Sequence, residues 1–171
     1  MPKKKELDSI REKIDELDAE LLQLLNRRSS LAIEAGKEKK EEIIYRPERE
    51  AFIFRRLKKI NEGPLDDRQI INIFTEIISS CRAGEKEIGI AFLGPEGTYS
   101  DSAVKENFGS SIQKNPTESI EEVFKAVKER KTDYGIVPIE NSTEGPINVT
   151  LDCLADFNIN ICGEVEMLIH H

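Results

Sequence analysis

The sequence predicts two regions of different build, an all-α region of three helices over residues 1–85 followed by part of an α/β region over residues 86–171. Two observations carry this expectation. Up to about Gly84 the apolar residues recur at spacings of three and four, which is the helical period. Beyond it, short β-branched runs alternate with glycine-rich turns and short helical stretches. At 171 residues, 38% of them hydrophobic and 34% charged, the chain is long enough for two small folded regions.

In the first region Leu7, Ile10, Ile14, Leu17, Leu21, Leu24, Leu31 and Ala35 make one apolar seam that runs until Gly36 and Lys39. At 3.6 residues per turn this is a helix of about nine turns. It is far longer than the ~10–14 residues usual in globular proteins, and it cannot bury its seam alone. It needs partner helices or a second chain. Pro47, tolerated at a first helical position, opens the next helix after Arg46, and Asn61-Glu62-Gly63-Pro64 closes it. Asp66 caps a third helix. Ile70, Phe74, Ile77 and Cys81 lie along one face of that helix with Ile71 and Ile78 beside them, a side suited to packing against the long helix. In the second region residues 88–93, 134–139 and 159–169 read as strands, and 102–107, 120–130 and 147–156 as helices. Ser119 with Glu122 has the form of a capping box.

Charge and composition exclude several classes of function. The net charge is −8 and the pI about 5.0, and no cluster of Lys and Arg interleaved with aromatics is present to neutralise phosphates. Nucleic acid is therefore not an expected partner, and Lys3-Lys4-Lys5 reads as a solvated amino terminus. With no run of about twenty apolar residues and no apolar core of a signal peptide at the start, neither membrane insertion nor export is expected, and the cytoplasm is. Cys81, Cys153 and Cys162 are odd in number and scattered, as reduced thiols are. His170 and His171 are the only histidines, so no metal centre and no cofactor is expected.

Several charges sit where the seams call for apolar residues. Arg28 falls between Leu24 and Leu31, and Arg28, Ala32, Ala35 and Lys39 form one stripe in which alanines leave room between two cations. Glu50 precedes Ile53, Phe54 and Leu57 at helical spacing, and Glu85 lies four residues beyond Cys81, on the third helix if that helix extends so far. Taken singly, Lys39, Glu50 and Glu85 fit a solvated helix face as well as a site, and Arg28 fits a snorkelling edge residue. Buried charges are costly unless paired, so their convergence points to a polar pocket of net positive sign, suited to a dianion. Arg11 stands seventeen positions before Arg28, roughly 25 Å along a straight helix. It is too far to share one small ligand within a chain. An antiparallel homodimer would carry Arg11 into the partner copy's pocket and generate two equivalent sites.

In the second region the turn Gly94-Pro95-Glu96-Gly97-Thr98 lacks the Lys-Ser/Thr ending of a phosphate loop. It reads instead as a tight turn presenting backbone amides to an anionic substrate, with Asn141, Ser142 and Thr143 as further donors. The alternative for those three is a capped turn before the helix at Pro146.

The string IREKIDELDAELLQLLNRRSSLAIEAGKEK, then IYRPEREA and IFTEIISSC, resembles the helical chorismate mutase family over about residues 6–85. FLGPEGTYS and YGIVPIENSTEG resemble the prephenate dehydratase family, in the order found in bifunctional proteins of phenylalanine biosynthesis. The resemblance implies a three-helix mutase domain working as a helix-swapped homodimer, followed by part of a periplasmic-binding-protein-like α/β dehydratase domain. Chorismate would be rearranged to prephenate without a covalent intermediate. Carried over by position, Arg28 and the partner chain's Arg11 would grip the substrate carboxylates. Lys39 would donate to the ether oxygen and Glu50 would accept from the ring hydroxyl. Cys81 stands where relatives have serine near a carboxylate, and Glu85 where many have glutamine donating to the ether oxygen. Arg46 replaces an aspartate near the hydroxyl, which leaves its backbone in the role, and Arg49 supports the pocket. A carboxylate cannot donate, so Glu85 serves the ether oxygen only when protonated. No Thr-Arg pair, which the dehydratase family uses for catalysis, and no regulatory phenylalanine-binding domain occurs in this sequence, so dehydration by this chain alone is not expected. The competing class is a helical dimerisation module, without turnover, fused to a small-anion-binding lobe.

Overall fold

A computed structural model of the chain describes residues 2–38, 45–141 and 145–167, with side chains from Lys5 onward. The chain divides into two compact units, residues 1–42 and 43–171.

The first unit is a single helix, α1 (Pro2–Glu38), of 37 residues. It is about 55 Å long at 1.5 Å per residue. Its apolar seam is bare along its length, with Leu7, Ile10, Ile14, Leu17, Leu21, Leu24 and Leu31 all exposed.

The second unit begins with α2 (Pro47–Ile60) and α3 (Asp67–Ala83) and continues into β1 (Gly89–Leu93), α4 (Tyr99–Phe108), β2 (Gln113–Thr117), α5 (Ile120–Lys128) and β3 (Tyr134–Ile136). A short antiparallel pair, β4 (Glu140–Asn141) and β5 (Gly145–Pro146), leads to α6 (Asn148–Asp156). Local chemistry sets these boundaries. Pro47 starts α2, and Asp66 and Gln69 form a reciprocal capping box on α3, each side chain accepting from the other's backbone N–H at 2.8 and 2.9 Å. Ser119 Oγ accepts from Glu122 N at 3.2 Å, whereas the Glu122 carboxylate reaches one residue further back to Glu118 N.

The three long strands form a parallel sheet in the order β2-β1-β3. Stepping from β1 to β2 and then across to β3 reverses direction, so right-handed crossovers put α4 and α5 on opposite faces. Two apolar clusters follow. Ile90 and Phe92 of β1 join Tyr45, Ile88, Val104, Phe108 and Ile112 on the α4 side. Ile120, Phe124 and Cys153 pack with Leu93, Phe157 and Ile159 on the other. Gly135 lets α5 approach the sheet closely, since a Cβ there would stand 2.6 Å from Val123 Cγ1.

One strand was not anticipated from the sequence, and two sequence expectations are corrected. Residues 113–117 form a strand despite reading Gln-Lys-Asn-Pro-Thr, because at the sheet edge only one side must pair, and an edge tolerates Pro116. Residues 159–167 form no strand, since a strand exists only where a neighbour takes its N–H and C=O groups, and Ile159 N donates instead to Phe157 O at 2.9 Å. The helix α3 ends at Ala83, two residues short of carrying Glu85. Packing also joins α2 and α3 to the α/β elements, α3 lying against α2 and α4. The side it buries is Thr75, Ile78, Ser79, Cys81 and Arg82, whereas Ile70, Ile71, Phe74 and Ile77 are only half-buried.

Candidate active site

On α1, Arg28 is half-buried and Arg11 exposed, with one Arg11 guanidinium nitrogen 3.7 Å from Asp8 Oδ1. Their separation on one continuous helix keeps them apart within the chain. Lys39 lies outside the described residues, as do Ser142, Thr143 and the two carboxy-terminal histidines.

In the second unit Arg46 is the residue before α2, and its carbonyl accepts from Arg49 N at 3.0 Å and Glu50 N at 3.2 Å. It serves the helix start through its backbone. Arg49 is exposed and stacks 5.4 Å from the Phe52 ring centroid. Glu50, in the first turn of α2, is 13% exposed and accepts from Arg82 at 2.6 Å. Cys81 is a buried free thiol. Glu85 follows α3 in a turn, half-buried, its N–H donating to Arg82 O at 2.9 Å.

Arg82 was not legible as a site neighbour. It is 5% exposed, donates to Glu50 Oε1 and to Phe108 O, each at 2.6 Å, and stacks on Tyr45 and Phe108. The stripe Thr75, Ser79, Arg82 recurs at helical spacing and reads in sequence as a solvated face. Its small hydroxyl residues are the one signal that a second element approaches it. Beside it Asn107 donates to Tyr45 Oη at 3.0 Å. Burial, then the nearby Glu50 carboxylate, pushes the Tyr45 phenol up to about 12.

At the carboxyl ends of β1 and β3 lie the loops 94–98 and 137–141, the crevice where open α/β sheets place ligands when strand order reverses. Here the turn is braced from inside. Gly97 N donates to Asp101 Oδ2 at 2.9 Å, so this amide points inward, away from the ligand-facing role expected of it. Thr98 Oγ1 donates to Pro95 O at 2.9 Å and caps α4. Asp101 is buried and paired with Lys114 at 2.6 Å and Lys105 at 3.2 Å. Burial alone would raise its pKa, but Lys114, the Gly97 amide and Lys105 outweigh it and hold the carboxyl at about 2. Asn141, half-buried in β4, pairs with Gly145.

The described residues give a long helix carrying Arg11 and Arg28, and a second unit in which α2 and α3 belong with a parallel α/β sheet. Residues 10–86 match the family of chorismate mutase type II, and residues 90–171 match that of prephenate dehydratase. The first match lies on the helical part and the second on the α/β part, each covering a little under half of the chain. Over 97% of its length the chain is 43% identical to a bifunctional chorismate mutase/prephenate dehydratase of Stutzerimonas stutzeri and 40% identical to one of Pseudomonas aeruginosa, covering 47% of each. It is 32% identical over 95% of its length to the Escherichia coli K12 protein of the same description, again covering 47%. The chain thus spans about half the length of the curated relatives it matches.

Proposed function

We propose that the helical region, residues 1–85, converts chorismate to prephenate in phenylalanine biosynthesis, as part of a cytoplasmic bifunctional enzyme. Residues 86–171 would supply the first crevice loops, with Thr98, Asn141, Ser142 and Thr143, of a periplasmic-binding-protein-like prephenate dehydratase, Gly97 bracing its turn from inside. Dehydration is then a property of the full-length protein. The reaction needs no cofactor, because a pericyclic rearrangement asks for a held conformer and a stabilised ether oxygen. Arg28 and the partner's Arg11 would grip the carboxylates by bidentate, charge-assisted bonds. Lys39 and Glu85 would serve the ether oxygen, Glu50 the ring hydroxyl, Cys81 a carboxylate and Arg46 the hydroxyl through its backbone.

The observation that carries this reading is the bare seam of α1 with Arg28 set into it. Seven large apolar side chains in water are a partner's surface, and a pure dimerisation helix would gain from leucine at position 28. A helix-swapped homodimer covers that seam and delivers Arg11 to the other copy's Arg28.

Following chorismate loss by absorbance tests the reading. Turnover is expected, and silence at micromolar enzyme would overturn it. Among the described residues no helix is long and apolar enough to cross a membrane. Glu85→Gln adds a second check. A glutamine donates at every pH, so the variant's rate should depend less on pH than the parent's, which should fall as pH rises.

A further inference from the structure

Glu50 belongs to the part matched by chorismate mutase and Phe108 to the part matched by prephenate dehydratase, and one side chain holds both. We propose that Arg82 is the positioning residue for Glu50, fixing the carboxylate from the α/β side in the orientation that receives the substrate's ring hydroxyl. This rests on the mutase reading.

The geometry leaves the guanidinium little freedom. Nη1 donates to Glu50 Oε1 and Nη2 to Phe108 O, each at 2.6 Å. The Tyr45 and Phe108 ring centroids lie 5.4 and 5.7 Å from its central carbon. A cation only 5% exposed is tolerated because it is paired and stacked. Phe108 O is in the last turn of α4, where the unsatisfied carbonyls and the helix dipole favour a positive charge.

Because the arginine fork is planar, anchoring one nitrogen on α4 sets the direction in which the other meets the carboxylate. A carboxylate accepts about four donors, so the arginine orients Glu50 without excluding a hydroxyl. Lysine cannot reproduce this, since one ammonium does not span a carboxylate on α2 and a carbonyl on α4 with a fixed fork. Arg82 was absent from the sequence-based site because it touches no expected substrate atom. It acts through Glu50.

The test is steady-state kinetics with chorismate on the whole chain, comparing the parent with Arg82→Lys, Arg82→Gln, Glu50→Gln and the double variant Arg82→Lys/Glu50→Gln. Arg82→Lys should raise KM about tenfold, the loss of one oriented charged hydrogen bond, while kcat changes less than about twofold. Arg82→Gln, whose amide reaches Glu50 without charge, should fall on the same side. In the Glu50→Gln background, Arg82→Lys should add less than about twofold to KM.

A purely structural role would instead lower the melting temperature and the active fraction, reducing apparent kcat and sparing KM. An unchanged KM in whichever of Arg82→Lys and Arg82→Gln folds, or a full extra penalty in the double variant, overturns the proposal while the mutase reading stands. No turnover by the parent chain overturns both.

Discussion

Helix α1 and the α/β unit treat the same kinds of residue in opposite ways. Leu17 and Leu24 of α1 are each 62% exposed, whereas Ile90, Ala91 and Phe92 of β1 are 0% exposed between α4 and α5. Polar groups show the reverse. Among the described residues Arg11 on α1 meets a neighbouring aspartate one turn away, while Arg82 and Asp101 in the α/β unit are buried and engaged by several partners. The difference teaches what each unit needs from outside. The α/β unit closes its core with its own crossovers, whereas α1 presents an apolar seam that only another helix can cover.

Breaking the comparison at its widest point should have the largest effect. Leu17→Asp places a charge in the middle of the α1 seam, where pairing would bury it without a partner, at a cost of several kcal/mol. If α1 pairs as proposed, sedimentation should show the dimer lost at micromolar concentration, with the proposed mutase turnover down about a hundredfold or more. An unshifted dimer would refute the role given to α1.

Inside the α/β unit, Gly109→Ala should be the costliest small change. Gly109 has φ 72°, and an added Cβ would lie 2.5 Å from Ser79 Cβ. Backbone strain and this clash together should cost about 3 kcal/mol in urea unfolding. The same substitution at Gly97, where a Cβ meets nothing within 4 Å, should pay only for its positive φ, about 1 kcal/mol.

Asp101→Asn is next, at about 2 kcal/mol near neutral pH. The folded carboxyl, held at about 2, lies below the ~3.9 of an unfolded aspartate. Its contribution is therefore complete above about pH 4 and lost as pH falls to about 2. Parent and variant stabilities should converge over that window, and parallel curves would contradict the assignment. Ser119→Ala, which removes the α5 cap, should match the Gly97 change at about 1 kcal/mol.

Much of the helical architecture was legible because its signals are local. Pro47, Asp66 and Ser119 each mark a helix start within a few residues, and the period of α1 repeats along the helix from Leu7 onward. What was illegible depends on neighbours distant in sequence. Residues 113–117 become a strand because β1 offers a free edge, and residues 159–167 stay unpaired because none of their described neighbours offers one. Of the candidate site, the sequence singled out Glu50 and Glu85 by spacing, but Arg82 is explained only by α4 arriving against α3. The inward turn of the Gly97 amide likewise depends on Asp101, whose burial no local pattern encodes.

The contact of Ser79 with Gly109 carries a consequence for shuffling parts between relatives. Ser79 Oγ accepts from Ser111 N at 3.1 Å, and Glu76 takes the Ser110 N–H and hydroxyl. Positions 76, 79 and 82 on one side and 108 to 111 on the other therefore form a lock whose two halves fall in different family matches. A chimera joined between residues 86 and 90 should inherit a mismatched lock unless both halves come from the same parent. Grafting the 108–111 segment along with α3 should restore it.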